Sequence, residues 1–333
     1  MSNNLYESAL SVKNKQENFM RRNKAICEEI ADRAKELGCR VCYDEKLAKH
    51  TTFKVGGSCN ILIFLNSVES SRELFSLAIK NKVPYLIIGK GSNLLIDDNG
   101  FNGVVFIIGK DYAKIRLIDE NTFECDAGVP LAKAAYFAYE NSLTGFEFAW
   151  GIPGNVGGAV FMNAGAYGGE IKDIIVSAQG IDSNGNIKEF KKDDLKLSYR
   201  HSIFTDESYM ITKAVFRLKK GDKTAIRARM DELMGRRKSK QPLEFASAGS
   251  TFKRPEGSYA SLLIEQCGLK GFHVGDAEVS IKHSGFVINK GNASCKEVME
   301  LIEKVKEIVF EKTGYKLESE VRIIVSDITE QEN

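Results

Sequence analysis

Gly151-Ile152-Pro153-Gly154-Asn155-Val156-Gly157-Gly158-Ala159, continued by Asn163-Ala164-Gly165-Ala166-Tyr167-Gly168, is the stretch on which the reading of this 333-residue chain turns. Eight glycines fall within the 25 residues from Gly145 to Gly169. A glycine gives up more backbone freedom on folding than any other residue, so this density implies tight turns or a backbone that something approaches closely. A second glycine loop lies upstream, Ile88-Gly89-Lys90-Gly91-Ser92-Asn93-Leu94. Such bends let backbone N–H groups crowd a pyrophosphate, and Ser92 and Asn93 add further donors. Taken alone, the upstream motif suits a plain glycine hairpin equally well. It is not a dinucleotide fingerprint, which needs a third glycine and a following amphipathic helix. Here Leu94-Leu95-Ile96 runs on as an apolar stretch and turns at Asp97-Asp98-Asn99-Gly100. Two such loops in one chain fit a large ligand gripped at two places.

The punctuation around the loops sketches the rest. Ile26, Ile30, Ala34 and Leu37 recur at helical spacing from residue 17 onward, and Gly38 suits the C-terminal cap. Residues 74–80 read as helix, and 85–88, 104–108 and 123–127 as strands. Pro130 suits a first helical position and opens a helix over 131–139. Residues 174–181 and 186–190 flank Ser183-Asn184-Gly185, a hairpin signal, and 210–218 form another strand. A basic helix over 227–240 stops at Pro242. The last third reads as a separate α+β unit. It has a helix over 261–267, a strand over 286–289 and a helix opened by a Ser294/Glu297 capping box. Gly314 ends that helix and a strand over 321–325 follows.

Bulk properties narrow the function classes. Hydrophobic residues make up 43% and charged residues 28%, as in ordinary globular chains. A formal net charge of +2 argues against a nucleic-acid surface built on bulk charge. No run approaches the ~18 apolar residues of a membrane span, and the polar first residues have no signal-peptide core. Seven irregularly spaced cysteines do not resemble a secreted disulfide framework. The Cys39/Cys42 pair lacks the partners that would complete a zinc site, so no metal is expected. These features point to a cytoplasmic protein without membrane insertion.

Six motifs in order complete the picture. They are His50-Thr51-Thr52-Phe53-Lys54-Val55-Gly56-Gly57, the Gly89–Leu94 loop, the Gly151–Gly168 stretch, Ser198-Tyr199-Arg200-His201-Ser202, Gly249-Ser250-Thr251-Phe252-Lys253 and Glu320-Val321-Arg322. From about Cys42 to Ile324 the chain closely resembles the UDP-N-acetylenolpyruvoylglucosamine reductase (MurB) family. The resemblance implies an α+β chain with a PCMH/VAO-type FAD-binding fold. Two α+β subdomains (residues 26–108 and 109–225) would hold FAD, and a C-terminal α+β substrate-binding domain (226–330) would cap it. Residues 1–25 would form an N-terminal extension. Because Tyr167 runs directly into Gly168-Gly169-Glu170, the shorter, type II branch is expected, and we expect a monomer.

The resemblance also implies the chemistry: FAD held noncovalently, NADPH as cosubstrate, and a UDP-sugar carrying an enolpyruvyl ether as substrate. Hydride addition to that double bond leaves an enolate of the substrate carboxylate, so the site must supply positive charge there and a proton to carbon. By resemblance Arg200 supplies the charge, Glu320 hydrogen-bonds the carboxylate in its protonated form, and Ser250 is the proton donor. Without the family these three would read as a surface ion pair, an exposed carboxylate and a turn residue. FAD contacts are expected from Thr52, Gly89, Gly91, Ser92, Asn93, Leu94, Gly151, Pro153, Gly154, Gly157, Gly158, Asn163, Gly165 and Ala166. Substrate contacts are expected from Tyr199, Arg236, Lys240, Lys253 and Arg254. The alternative is another flavin oxidoreductase of the same fold, acting on a small alcohol or sugar.

Overall fold

The computed structural model describes residues 24–325. The expected residues 17–23 of the first helix, and nearly all of the 1–25 extension, lie outside them.

The Phe101–Ile108 strand organises the N-terminal half. It is flanked on both sides by parallel partners, Ser58–Leu65 and Tyr85–Ile88, and Arg40–Lys46 closes the far edge antiparallel to Ser58–Leu65. Side chains alternate across a strand, so this central strand, buried on both faces, is apolar from Val104 to Ile108. Val104, Phe106 and Ile108 enter the main core, while Phe101, Val105 and Ile107 enter a smaller one with Leu47, Leu94 and Ile96. A bulge between Cys59 and Ile61 lets Cys59 join Leu62 in that smaller core. The helix over residues 24–36 covers the main core with Cys27, Ile30, Ala31 and Ala34. Gly38 ends it at φ +73°, and the Cys39 N–H returns to the Ala34 carbonyl.

A five-stranded antiparallel sheet follows, ordered Ile187–Lys191, Ile175–Ile181, Met210–Arg217, Thr122–Asp126, Ile115–Leu117. The Ser183-Asn184-Gly185 signal forms its hairpin, with Gly185 at φ +79°. Pro130 departs from expectation: it caps the Leu131–Glu140 helix instead of starting it. The Leu131 N–H donates to the Gly154 carbonyl, and Pro130 itself bridges Asn155, so the second glycine loop holds the proline extended.

The last third has its own four-stranded sheet, Ala246–Ser247, Val287–Asn289, Ala277–Val279 and His273–Val274, packed on the helix Cys295–Thr313. It is not a closed unit. Its final strand Arg322–Ile324 pairs in parallel with Leu94–Ile96, and Phe53, Val55 and Leu95 are buried in its core. The Asp98 carboxylate accepts from the Cys295 and Lys296 N–H groups, capping the long helix from across the chain. Among the described residues no helix is long and apolar enough to cross a membrane, and no acidic, Cys or His cluster could hold a metal ion.

Candidate active site

The two glycine loops meet. Ser92 Oγ donates to the Pro153 carbonyl at 3.1 Å and lies 3.2 Å from where a Cβ on Gly154 would stand. Gly89 abuts the Asn155 side chain. Gly91 adopts φ +59°, and its Cβ position is filled by the His50 carbonyl, so no larger residue fits that turn. Thr52 ties the arrangement together: its N–H donates to the Gly91 carbonyl, and its hydroxyl reaches the Ser247 carbonyl at 2.7 Å. Gly165 and Ala166 pair with Gly169 and Glu170 around a two-residue turn, Tyr167-Gly168.

The loop glycines are not equivalent. A Cβ on Gly157 would press on Ala127 Cβ at 2.9 Å, a packing constraint. A Cβ on Gly158 would meet nothing within 4 Å, although the residue sits in the short helix Val156–Phe161 with an ordinary helical backbone. Packing within the protein does not require glycine there, which leaves the position open to close approach by a ligand. Gly158→Val should leave the fold intact, because only a helix-propensity difference of at most about 1 kcal/mol is involved. It should strip FAD from the purified protein, read as loss of flavin absorbance at unchanged circular dichroism.

Two buried polar groups also await a partner. Asn155 Nδ2 donates to the Ile108 carbonyl at 3.1 Å, but its buried Oδ1 accepts from no group among the described residues. Arg237 is only 9% exposed, forms no ion pair among the described residues and lies against Gly151. Burial pushes its guanidinium below its ordinary pKa. An uncompensated buried charge costs several kcal/mol, a cost that an anionic ligand beside Arg237 would offset. An orphaned acceptor, an unfilled glycine position and an unpaired arginine beside the loops together fit a large anionic cofactor such as FAD.

Arg237, not singled out by the sequence reading, and the expected Arg236 lie on different faces of one helix. Arg236 pairs with Glu232 on the solvent face, whereas Ile226, Met230, Leu233 and Arg237 share the buried face. The signal was present in the sequence: 226, 230, 233 and 237 step by four and three residues along one face of the Lys223–Lys240 helix. Replacing Arg237 with Met should stabilise the cofactor-free protein or leave it unchanged, while shrinking the melting-temperature rise that FAD produces. Arg236→Ala should change neither.

Across the loops the structure brings together Arg200, Glu320 and the Ser250 segment, the three positions expected to be catalytic. Arg200 Nε donates to Glu320 Oε1 at 2.5 Å, although 120 residues separate them in the chain. Ser198 and His201 exchange backbone hydrogen bonds, and Arg200 sits at the turn with φ +56°. That left-handed conformation costs an L-residue about 1–2 kcal/mol, so the turn is held by its surroundings. The Glu320 N–H donates to the Thr251 carbonyl at 2.8 Å, which sets the Ser250-Thr251 backbone beside the ion pair. No protein group among the described residues engages the Ser250 hydroxyl. Burial pushes the Glu320 carboxyl above the usual carboxylate range, against the pull of Arg200 and, more weakly, Lys253.

The remaining expected residues divide. Tyr199 packs under the Arg200 guanidinium, and its hydroxyl accepts from the Arg254 N–H at 3.1 Å. The Arg254 guanidinium stacks on Tyr259, and Lys253 pairs with Glu318. Lys240 is exposed at the end of its helix. Two asparagines of the loops also bond within the chain. Asn93 directs its amide to the Glu320 carbonyl at 3.1 Å. Asn163 is fully buried, with both ends of its amide engaged inside the chain.

Comparisons with known proteins identify the family. Residues 60–191 match the family model described as "FAD binding domain". Residues 241–324 match "UDP-N-acetylenolpyruvoylglucosamine reductase, C-terminal domain". The UDP-N-acetylenolpyruvoylglucosamine reductase of Clostridium novyi (strain NT) is 52% identical over 84% of this chain and 90% of its own length. That of Agathobacter rectalis is 44% identical over 91% of this chain and 99% of its own. Among solved structures, UDP-N-acetylenolpyruvylglucosamine reductase (MurB) from Thermus caldophilus superposes with a TM-score of 0.71 at 32% identity, covering 86% of this chain and 98% of that one. The fold is therefore the expected α+β, PCMH/VAO-type FAD-binding architecture with a C-terminal domain. With its paired glycine loops, its buried arginine–glutamate pair and these relatives, the chain belongs to the UDP-N-acetylenolpyruvoylglucosamine reductase (MurB) family.

Proposed function

We propose that this protein reduces the enolpyruvyl group of UDP-N-acetylglucosamine enolpyruvate to the lactyl ether of UDP-N-acetylmuramate, in the cytoplasm, with NADPH as electron donor and noncovalent FAD as carrier. The observation that carries the reading is the Arg200–Glu320 pair beside Ser250, facing the joined glycine loops. Bound FAD supplies the hydride relay from NADPH to the terminal carbon of the enolpyruvyl double bond. The two-residue Tyr167-Gly168 turn leaves no room for a long covering loop, which supports the type II form.

The chain's own residues handle the charge. Arg200 offers a planar fork to the substrate carboxylate, where the enolate charge collects. Its present partner is Glu320; a second carboxylate arriving at one guanidinium favours a proton on the more buried acid. Protonated Glu320 then donates to the substrate carboxylate, and Ser250 hands its hydroxyl proton to the adjacent carbon. Tyr199 holds the flank of Arg200. Lys253, Arg254 and Lys240 offer positive charge for the nucleotide diphosphate. Asn155 Oδ1 and Arg237 supply an acceptor and a charge to the cofactor.

A pH dependence follows. Glu320 acts as a donor only while protonated, so the substrate-reducing step should be fastest below its raised pKa and fall as pH rises through it. Glu320→Gln removes the ionisation and should flatten that fall, at a lower plateau. The test is the rate of flavin reoxidation by substrate measured across pH for both proteins.

The reading itself is tested by anaerobic stopped-flow. NADPH should bleach the flavin absorbance, and the enolpyruvyl sugar nucleotide should restore it, whereas simple alcohols should do neither. Bleaching by an alcohol would favour the small-alcohol or sugar oxidoreductase instead.

A further inference from the structure

The Arg200 turn is strained, and both of its ends are tied to one short segment. On its upstream side Asn163 Nδ2 donates to the Ser198 carbonyl at 2.9 Å. On its downstream side the Ser202 hydroxyl donates to the Phe161 carbonyl at 2.6 Å. Asn163 and Ser202 are both fully buried. Residues 161–163 form the C-terminal end of the Val156–Phe161 helix, the continuation of the second glycine loop, and its exit. Asn163 is itself locked: Nδ2 also reaches Glu170 Oε2 at 2.7 Å, and Oδ1 accepts from the Lys172 N–H at 2.8 Å. Its backbone sits at φ +43°, a conformation that asparagine tolerates better than most residues.

We propose that Asn163 is a positioning residue that holds the Arg200 turn against the second glycine loop, so that the loop gripping the cofactor and the arginine receiving the substrate carboxylate move as one rigid piece. The inference rests on the carboxylate role assigned to Arg200 above. Its physical basis is that a left-handed arginine persists only where neighbours enforce it. Released from Ser198, the turn can relax and carry the guanidinium away from Glu320. A displacement of about 1 Å at a reacting centre costs on the order of 10²-fold in rate.

The test separates the two halves of the reaction in the FAD-loaded enzyme. Asn163→Gly removes the amide and keeps the left-handed backbone accessible. Its flavin should be bleached by NADPH at a rate within about twofold of wild type, while reoxidation by the enolpyruvyl sugar nucleotide slows by at least about tenfold with weakened substrate binding. Ser202→Ala, which releases the other end, should shift the same step in the same direction and serves if the glycine variant fails to fold. Equal loss in both half-reactions, loss of FAD from both variants, or wild-type rates throughout would overturn the proposal. A wild-type enzyme that is bleached by NADPH but not reoxidised by this substrate would instead refute the assigned reaction.

Discussion

Replacing Arg200 with Met should slow reoxidation of the flavin by substrate about 10³-fold, equivalent to about 4 kcal/mol, while NADPH still bleaches it at close to the wild-type rate. Arg200 is the guanidinium beside Glu320, and the enolate formed after hydride addition needs fixed positive charge in a dry site. Removing it also leaves the buried carboxylate uncompensated, so Glu320 takes up a proton more readily and the pH at which activity falls should move upward. Arg200→Lys keeps the charge but loses the planar fork, and its loss should be intermediate. Anaerobic single-turnover kinetics of each half-reaction, with flavin content matched, provide the check. An equal loss in the NADPH half-reaction would place Arg200 at the nicotinamide and not at the substrate.

Ser250→Ala should be as selective. A positioned proton donor contributes about 10²–10⁴-fold, so the second half-reaction should fall within that range. The first half-reaction should not change, because no protein group among the described residues depends on the Ser250 hydroxyl. The fold should also be preserved: Gly249 and Thr251 set the local backbone, through φ +78° and hydrogen bonds to Gly285 and Glu320. Solvent deuterium placed on the product carbon should still appear in the residual product, delivered by water in place of serine and with reduced stereochemical control. An unchanged second half-reaction would remove Ser250 from the mechanism.

Much of this site is legible in the sequence, for a physical reason. Gly91 marks a backbone position too crowded for any side chain, and Gly158 one where the protein leaves open space beside the backbone. Capping signals such as Ser294/Glu297 and Gly314 act over a few residues, so local pattern suffices to find them. The proposed catalytic trio is different. Arg200 and Glu320 lie 120 residues apart, and each alone looks like an ordinary surface charge; only the ordered motifs bring them together before the structure does.

What the sequence leaves hidden depends on rotation and register. Arg236 and Arg237 are neighbours of one type, and only the helix phase decides which faces the glycine loop. Asn93 and Asn163 read as ligand donors in the glycine loops, and in the fold their amides also donate to the carbonyls of Glu320 and Ser198. Those carbonyls reach them through long-range contacts that no local pattern encodes. The parallel pairing of Arg322–Ile324 with Leu94–Ile96 is similarly non-local, and it makes the last third continuous with the first.

The most direct measurement is a crystal structure of the FAD-loaded protein with the enolpyruvyl sugar nucleotide bound. The substrate carboxylate should lie within hydrogen-bond distance of both the Arg200 guanidinium and the Glu320 carboxyl, with Ser250 Oγ next to the carbon that bears the ether oxygen. A carboxylate seated away from Arg200, with the Arg200–Glu320 pair undisturbed, would contradict the account.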